Sequence, residues 1–398
     1  MQSIAFIGSG HDGSTVPLIR QFLLKGFLVD YYLLTSGPIY DIEATDICFT
    51  PTHFGLEEIP SSCWPKLSGY FGDKEDSVRL FSIKTSRPYE SRPLLNHFVS
   101  AIFRNTIIRQ ACHYINQQHY SFINIIGRYT VSDILRYCRY LHGNLTVSLH
   151  EVCNHETPDF VHPNWVMKNL FKKKTPIIVF SHKSYSDLIK YKGVEEKSIF
   201  QLKFGLFTSY SIYGKTELME LPKRFFLFVG RINSYKGLGL IYNAFGFLSV
   251  KVKEEISIVI AGGGHDANLE RMSHISNFHI INRFLKNEEI CELIQHSDAV
   301  ICPYTSASQS GIPQTAFVFG RPIIASDIDG LNDVVKNDYN GILFNVGEAK
   351  QLAEIMEQTW KNPELLQRLS KDMSSFETVF HDYSWDSIVN SYITYFLL

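Results

Sequence analysis

The chain has 398 residues, more than one hydrophobic core usually organises, so two domains of roughly 150–200 residues each are expected. Its composition, 45% apolar, 20% charged and 14% aromatic, is typical of a globular protein with well-filled cores and excludes a disordered chain. The net charge of −2 produces no overall attraction to nucleic acid, so no nucleic-acid partner is expected.

The seven cysteines are scattered and form no C-x-x-C pair, which argues against a disulfide framework and against a zinc cluster. The first residues, MQSIAFIGSGH, lack the basic region of a signal peptide. No apolar run approaches the length of about 18 residues that is needed to span a bilayer. Together these features predict a cytoplasmic protein.

The chain begins with the pattern of a strand, a glycine loop, an amphipathic helix and a second strand. Gly8, Gly10 and Gly13 match G-x-G-x-x-G, the phosphate loop of dinucleotide-binding folds. Such a site needs an acidic residue at the end of the second strand, whereas Asp30 lies in its middle. We therefore favour a loop that a phosphate or a neighbouring domain approaches closely, with an NAD-dependent oxidoreductase as the alternative.

Positions 36–92 are poorly patterned and predict loops and edge strands. A long helix is predicted from Pro93, with Ile102, Phe103 and Ile107 on its apolar face. From there to residue 205, strands and helices alternate at the rate expected of a doubly wound parallel sheet. In such sheets ligands bind at the carboxyl ends of strands.

His150 and Glu151 lie at one of these strand ends, and His155 and Glu156 follow in the next loop. The spacing HEVCNH is one residue longer than H-E-x-x-H and starts at a strand end, so a zinc protease is rejected. Two interpretations of His150 remain open. It hydrogen-bonds a sugar hydroxyl, or it is bonded to its own loop.

Lys168 and the run Lys172–Lys174 flank Leu170 and Phe171. Basic residues beside exposed apolar ones dock on anionic membranes, which predicts a peripheral contact with the inner face of the plasma membrane. A solvated helix end has the same sequence pattern and is the alternative.

Residues 207–222 are polar and irregular and predict an interdomain linker. The stretch FLFVGRINSYKG follows at 226–237, where a buried strand delivers Arg231 and Lys236 to a loop that opens a helix. Helix-start amides and two cations suit an anion with several charges. The alternative is an ordinary surface turn with two exposed cations.

Two further strand ends carry loops of small residues. One strand runs into Gly262–Gly264, and another is followed by the polar stretch TSASQSGIP, whose proline suits the first turn of a helix. Because this second loop also offers backbone amides to an anion, we favour the anion site over the surface turn.

The order of these motifs resembles glycosyltransferase family 4, whose members are retaining enzymes of the GT-B fold. The resemblance is carried by GRINSYKG, IAGGG, NRFLKNEEI, SDAVICPY, SGIPQTAFVFGRPIIASDIDGL and NDYNGILF. It implies an α/β architecture of two Rossmann-like doubly wound parallel-sheet domains facing a central cleft. The expected divisions are an acceptor-side domain at 1–206, a linker at 207–222, a nucleotide-sugar domain at 223–376, and a helix at 377–398 that crosses back.

The resemblance also implies site residues. Arg231 and Lys236 would hold the diphosphate of a nucleotide-sugar, Gly13 would approach it from the opposite domain, and His150 would lie near the transferred sugar. The backbone from Arg283 through Phe284 to Leu285 would meet the base. The rest of the implied donor site consists of Gly263, Gln309, Ser310, Gly311 and Thr315. The prediction includes no metal and no cofactor, since the nucleotide-sugar is a substrate.

The sequence departs from the family at two positions. The family usually carries two glutamates eight residues apart, where this chain has Ala307 and Thr315. Thr315 or Gln314 would then contact the ribose more weakly. The expected function is transfer, with retention, of a sugar to a hydroxyl of a saccharide or lipid-linked saccharide in bacterial surface polysaccharide synthesis. A non-catalytic nucleotide-sugar-binding protein is the alternative.

Overall fold

The structure is a computed structural model, and it describes residues 1–8, 12–35, 47–85, 94–126, 133–153, 164–191, 194–214, 217, 220–307 and 309–398. Among the residues singled out above, Gly10, Pro93, His155 and Glu156 lie outside this description.

In the described residues of the N-terminal half, eight strands form one sheet in the order β3-β4-β2-β1-β5-β6-β7-β8. Only the edge pairing of β3 with β4 is antiparallel in this part. The strands are β1 (Ser3–Gly8), β2 (Leu28–Thr35), β3 (Gly55–Ile59), β4 (Val78–Lys84), β5 (Phe122–Ile125), β6 (Leu145–Leu149), β7 (Ile177–Val179) and β8 (Ile199–Gln201). The helices are α1 (Asp12–Leu24), α2 (Pro65–Phe71), α3 (Leu94–Gln117), α4 (Asp133–Tyr140), α5 (Asn164–Lys172) and α6 (His182–Ile189).

The C-terminal half contains a second sheet, entirely parallel, with the order β11-β10-β9-β12-β13-β14 over its described strands. These are β9 (Phe226–Val229), β10 (Ile258–Ala261), β11 (Phe278–Ile281), β12 (Ala299–Cys302), β13 (Ile323–Ser326) and β14 (Gly341–Phe344). The helices are α7 (Leu238–Phe247), α8 (Val250–Glu255), α9 (Asn268–Ser273), α10 (Asn287–His296), α11 (Gly311–Val318), α12 (Ala349–Lys361), α13 (Pro363–Leu369), α14 (Met373–Val379) and α15 (Trp385–Phe396).

Continuous apolar strands explain both sheets. The strands β9, β10 and β12 are buried along their whole length, as parallel strands covered by helices on both faces must be. The predicted α/β fold of two parallel-sheet domains is therefore confirmed.

The last helix, α15, packs into the N-terminal domain. Its Val389 and Tyr392 are fully buried in the same apolar cluster as Phe22 of α1 and Phe122 of β5. The described chain thus crosses between the domains twice, first through a short 3-10 turn at Thr208–Tyr213, which we call the hinge turn, and again before α15.

The predicted apolar face of α3 is confirmed at Ile107, which is 4% exposed, and is wrong at Ile102 and Phe103. Ile102 and Phe103 are 57% and 47% exposed, whereas Ile108 and Cys112 are fully buried. The stripe that meets the sheet passes instead through Arg104, which forms an ion pair with the buried Asp133. A sequence pattern does not reveal such a pair, because both charges read as surface residues.

The predicted exposure of Leu170 is also wrong, since this side chain is fully buried in α5. Trp165, one helical turn earlier, is 51% exposed instead, and Lys168 and Lys172 are exposed beside it. Within the described part of the chain, no helix has the length and apolar character required to cross a bilayer.

Candidate functional site

The order of the C-terminal sheet creates a crevice at its centre. From β9 the chain builds outward through β10 and β11, and then returns to the other side of β9 with β12. Loops after β9 and β12 therefore diverge at one switch point, the place where parallel α/β sheets bind ligands. The loop after β9 carries Arg231 and Lys236, and the loop after β12 leads into α11.

Lys236 is the most perturbed cation of this crevice. Its ammonium lies 3.7 Å from the ring centroid of Tyr304 and 5.3 Å from that of Tyr235. Burial lowers the pKa of Lys236 to about 8; attraction to Cys302 and Glu151 opposes this shift, and repulsion from Arg231 adds to it. A partly buried ammonium on an aromatic face is prepared to accept an anion that restores its lost hydration.

Backbone contacts explain the glycine after Lys236. Gly237 has φ of +70°, and a β-carbon there would overlap the carbonyl oxygen of Pro303. Only glycine allows the two loops to meet this closely. The amide of Thr305 also donates to the carbonyl of Tyr235 at 2.8 Å, so the loops after β9 and β12 are held together.

The glycines after β10 are explained by the same steric constraint, a close approach of two backbone segments. Gly262 and Gly264 have φ of +140° and +148°, and a β-carbon at either would overlap the backbone of Gly230 or Ile232. The motif A-G-G-G thus lets the loop after β10 lie directly against the loop that begins with Gly230 and Arg231.

Gly263, the middle glycine, faces residues 283–285, the segment expected to meet the base. A β-carbon on it would lie 3.4 Å from the backbone of Arg283 and Phe284. Arg283 itself forms a double ion pair with Glu289, while Phe284 is 86% exposed and Leu285 is buried. The structure therefore brings the backbone at 283–285 to the glycine loop, and the guanidinium of Arg283 is already paired.

The start of α11 forms the other wall of the crevice. Ser310 caps the helix by accepting from the amide of Ile312, and the buried amide nitrogen of Gln309 has no acceptor among the described residues. Thr315 is buried and donates to the carbonyl of Gly311 at 2.9 Å. Its hydroxyl hydrogen is thus already used within the helix, which makes Thr315 the least available of the predicted contacts.

His150 is buried at the end of β6 and is packed between aromatic rings. It stacks on Phe180 at 4.8 Å and meets the edge of Phe204 at 5.3 Å between ring centroids. The next residue, Glu151, is exposed and acts electrostatically on Lys236 of the other domain. The His150 strand end therefore faces the crevice of the C-terminal sheet.

Phe207, directly before the hinge turn, joins the two domains at the predicted site. A β-carbon on Gly13 would lie 2.8 Å from its ring, and one on Gly311 would lie 2.5 Å from it. Both predicted glycines therefore contact one aromatic side chain of the linker. Their lack of a side chain is what allows α1 and α11 to converge.

Sequence reasoning missed three residues of this region, Tyr304, Glu151 and Phe207. Tyr304 and Glu151 stand next to motifs that were recognised, the strand end of β12 and His150. Phe207 carried no signal, because an aromatic residue in a polar linker indicates burial without indicating the partner.

Comparison with known proteins relates the C-terminal part of the chain to a known family. Residues 215–374 match the family described as glycosyl transferases group 1. The chain is 24% identical over 262 residues to an uncharacterised glycosyltransferase of Methanocaldococcus jannaschii and 29% identical over 179 residues to O-antigen chain mannosyltransferase C of Escherichia coli. The matches cover 63% and 43% of this chain and 65% and 46% of those relatives, so less than two thirds of either.

Solved structures match over nearly the whole chain. HepE of Anabaena, solved with UDP and glucose, superposes with a TM-score of 0.62 at 13% identity, covering 99% of this chain and 100% of HepE. Sucrose-phosphate synthase of Thermosynechococcus elongatus gives 0.63 at 15% identity, covering 98% and 97%. These likenesses show the fold. Residues 215–374 are thus similar to the glycosyl transferases group 1 family, within a chain that has the GT-B architecture.

Proposed function

We propose that this chain is a retaining glycosyltransferase of family 4 that moves a sugar from a nucleoside-diphosphate sugar to a hydroxyl acceptor. The observation that carries the proposal is Lys236, a partly buried cation on the ring of Tyr304 at the switch point, with Arg231 close enough to lower its pKa. Two cations and a helix start at one crevice stabilise the charge that develops on a departing diphosphate.

The proposed reaction exchanges one bond at the anomeric carbon. The bond from that carbon to the β-phosphate oxygen breaks, and the acceptor oxygen forms its bond on the same face. The acceptor proton passes to the departing phosphate, so no protein nucleophile is needed. Lys236 and Arg231 neutralise the phosphate, and the amides at the start of α11 donate to its oxygens.

The remaining predicted residues fit around this centre. Gly263 and the backbone at 283–285 offer a flat wall for the base, next to the loop of Arg231. His150 and Glu151 come from the other domain and would face the sugar. Among the described residues, Glu151 is the one carboxylate whose charge acts on the pKa of Lys236. We infer that Glu151 performs part of the role of the two family glutamates, whose positions are occupied here by Ala307 and Thr315.

The donor and acceptor classes are supported by names of similar proteins. HepE was solved with UDP-glucose. A relative from Campylobacter jejuni, 23% identical over 225 residues, is named as an N-acetylgalactosaminyltransferase acting on a sugar linked to diphospho-undecaprenol. A UDP-sugar donor and a lipid-linked acceptor for a bacterial surface polysaccharide are therefore our proposal for this chain.

A donor screen tests the proposal. We expect one UDP- or GDP-sugar to be consumed in the presence of a lipid-linked acceptor, with release of the nucleoside diphosphate and a product whose anomeric configuration, read by NMR, equals that of the donor. Lys236→Ala should lower turnover at least a hundredfold, because the departing charge loses its main partner. Lys251→Ala, an exposed lysine on α8, is the matched control and should leave turnover unchanged.

The absent glutamates favour a second candidate, a protein that binds a nucleotide-sugar without transferring it. It predicts tight binding of one donor that depends on Lys236, with no nucleotide release from any donor and acceptor pair. Turnover by the wild type excludes this candidate, and near-normal turnover by Lys236→Ala contradicts the assignment of the anion site.

The NAD-dependent alternative requires Asp30 to hold the ribose, and this carboxylate is already bonded within the N-terminal domain. Asp30 accepts two hydrogen bonds from Arg79 of β4, at 2.9 and 2.6 Å, and is also bonded by Tyr120. A buried carboxylate committed to this network in mid-strand is not placed to hold a ribose.

We also propose that α5 mediates a peripheral contact with an anionic membrane. Trp165 is 51% exposed, and Lys168 and Lys172 are exposed on the same helix without an ion pair to any described residue. An exposed indole next to unpaired lysines fits the interface of an anionic leaflet. This surface would place the enzyme beside a lipid-linked acceptor.

A further inference from the structure

A cavity of about 640 Å³ lies at the hinge, apart from the residues of the switch-point crevice. Its walls come from three parts of the chain. The N-terminal domain supplies α1 and α2, the linker supplies the hinge turn, and the last part of the chain supplies α14, whose Phe376 is buried in the C-terminal core, and the start of α15. Its walls include Arg20, Lys66, Gly69, Tyr70, Thr208, Glu377 and Asp386.

Two charged groups of this cavity have unused hydrogen-bonding capacity. Arg20 donates from Nε to the carbonyl of Tyr70 at 2.8 Å and lies 5.0 Å above the Tyr70 ring, while its two terminal nitrogens meet no acceptor in the described chain. Burial raises the pKa of Glu377, whose carboxyl forms no hydrogen bond or ion pair with a described residue. Among the described residues, two nitrogens of the Arg20 guanidinium thus lack an acceptor and the Glu377 carboxylate lacks a donor in one cavity.

The composition of the walls disfavours a diphosphate here. Lys66, the other cation, lies 3.5 Å from Glu288, and Asp386, the second carboxylate of the walls, lies 2.7 Å from Lys25, so both of these lysines already face a carboxylate. A neutral ligand rich in hydroxyl groups suits such walls better, because each hydroxyl both donates and accepts. The half-buried ring of Tyr70, whose hydroxyl bonds Thr208 at 2.6 Å, adds apolar surface, as small-molecule sites of this size usually do.

We propose that the hinge-side cavity is a second binding site, specific for a saccharide. Because its walls belong to both domains and to the linker, a bound sugar fixes their relative position. Thr208 in the wall directly follows Phe207, whose ring contacts Gly13 and Gly311. The coupling of this site to the nucleotide site rests on the function proposed above; binding of the sugar itself does not. Linkage makes the effect reciprocal, so each ligand changes the affinity of the other by the same factor.

Gly69 offers a direct test, because it lines the cavity in α2 and a β-carbon there meets nothing within 4 Å. Gly69→Trp should fill the cavity without backbone strain. Gly246→Trp is the matched control, since Gly246 lies in helix α7 with equally open space and is exposed. Calorimetric titration of the full chain with glucose, N-acetylglucosamine and maltose measures sugar binding. The disaccharide distinguishes a site for a glycan end from one for a free monosaccharide.

We expect at least one of these sugars to bind the wild type, at least tenfold more weakly to Gly69→Trp, and within twofold to Gly246→Trp. Glu377→Gln, a milder change, should also weaken binding severalfold. UDP binding by Gly69→Trp, measured without sugar, shows that this variant is folded. In the wild type, the affinity for UDP should change at least threefold when the sugar is present. Failure of all three sugars to bind, or equal binding by both tryptophan variants, overturns the second site. Sugar binding without any effect on UDP overturns the coupling alone.

Discussion

Lys236 shows how a single side chain is prepared for its ligand. Its ammonium faces the ring of Tyr304, in a crevice where water is partly excluded, and the free protein therefore holds it less firmly charged than an ordinary lysine. A diphosphate restores the favourable environment. When the pH exceeds the pKa of the free side chain, Lys236 therefore takes up a proton as the diphosphate binds.

The affinity for UDP should therefore depend on pH. Burial lowers the pKa of Lys236 to about 8, so the free protein loses this charge above that value, while the nucleotide needs it. We expect the affinity to be constant up to about pH 7.5 and then to fall by as much as about tenfold per pH unit. Lys236→Arg stays charged and should remove the decline, as calorimetric titration against pH would show.

A wild-type affinity that stays constant through alkaline pH would contradict the assignment of Lys236 to the diphosphate. A decline of the same size in Lys236→Arg would assign the titration to another group. Either result leaves the fold unaffected, because the wild type and Lys236→Arg both carry a long side chain over Tyr304.

Local sequence patterns indicated which residues lie near the crevice. Contacts between segments that are distant in sequence depend on the tertiary structure and could not be predicted in this way. Gly262–Gly264 could be singled out because these glycines directly follow a buried strand. The contact of Phe207 with Gly13 and Gly311 could not, since it depends on where two domains meet. Arg104 misled the assignment of α3 because its partner, Asp133, is 29 residues away.

At the scale of elements, α5 illustrates a helix whose two faces serve different purposes. Val166 and Leu170 are buried in the N-terminal core, while Trp165 and Lys168 face outward. The sequence identified the basic character of this segment, and the structure corrected which apolar residue accompanies it.

Charge reversal on α5 should separate membrane docking from folding. We expect Lys168→Glu combined with Lys172→Glu to lower binding to phosphatidylglycerol-rich vesicles at least tenfold, because each basic residue near an anionic surface contributes about 1 kcal/mol. The double variant Lys251→Glu, Lys350→Glu changes the net charge equally on exposed sites of the C-terminal domain. Cosedimentation should show no loss for this control. Equal losses in the two double variants would attribute the effect to net charge rather than to α5.

At the scale of the whole molecule, the two crossings are tied to each other. The indole of Trp385 is buried, donates from Nε1 to the carbonyl of Leu206 at 2.8 Å, and covers Gly205, where a β-carbon would lie 2.6 Å from the ring. The start of α15 thus locks the segment that leads into the hinge turn.

Trp385→Ala should destabilise the N-terminal domain by about 3–5 kcal/mol, because it removes a large buried ring and leaves the carbonyl of Leu206 without its donor. Urea unfolding measures the loss. Phe247→Ala, which truncates an aromatic side chain that is 61% exposed, should change the free energy of unfolding by about 0.5 kcal/mol or less. A similar small effect for Trp385→Ala would show that the second crossing is not anchored through this residue.

The packing of α15 against α1 and β5 also sets an order of assembly during synthesis. Domains usually complete folding from the amino end as the chain leaves the ribosome. Here the nascent N-terminal domain lacks Tyr392 and Phe396, which fill its core beside Phe22 and Phe122. The C-terminal sheet, continuous from β9 to β14, is finished first. The N-terminal half therefore exposes an apolar surface until α15 has been synthesised, and we expect chaperones to bind this half.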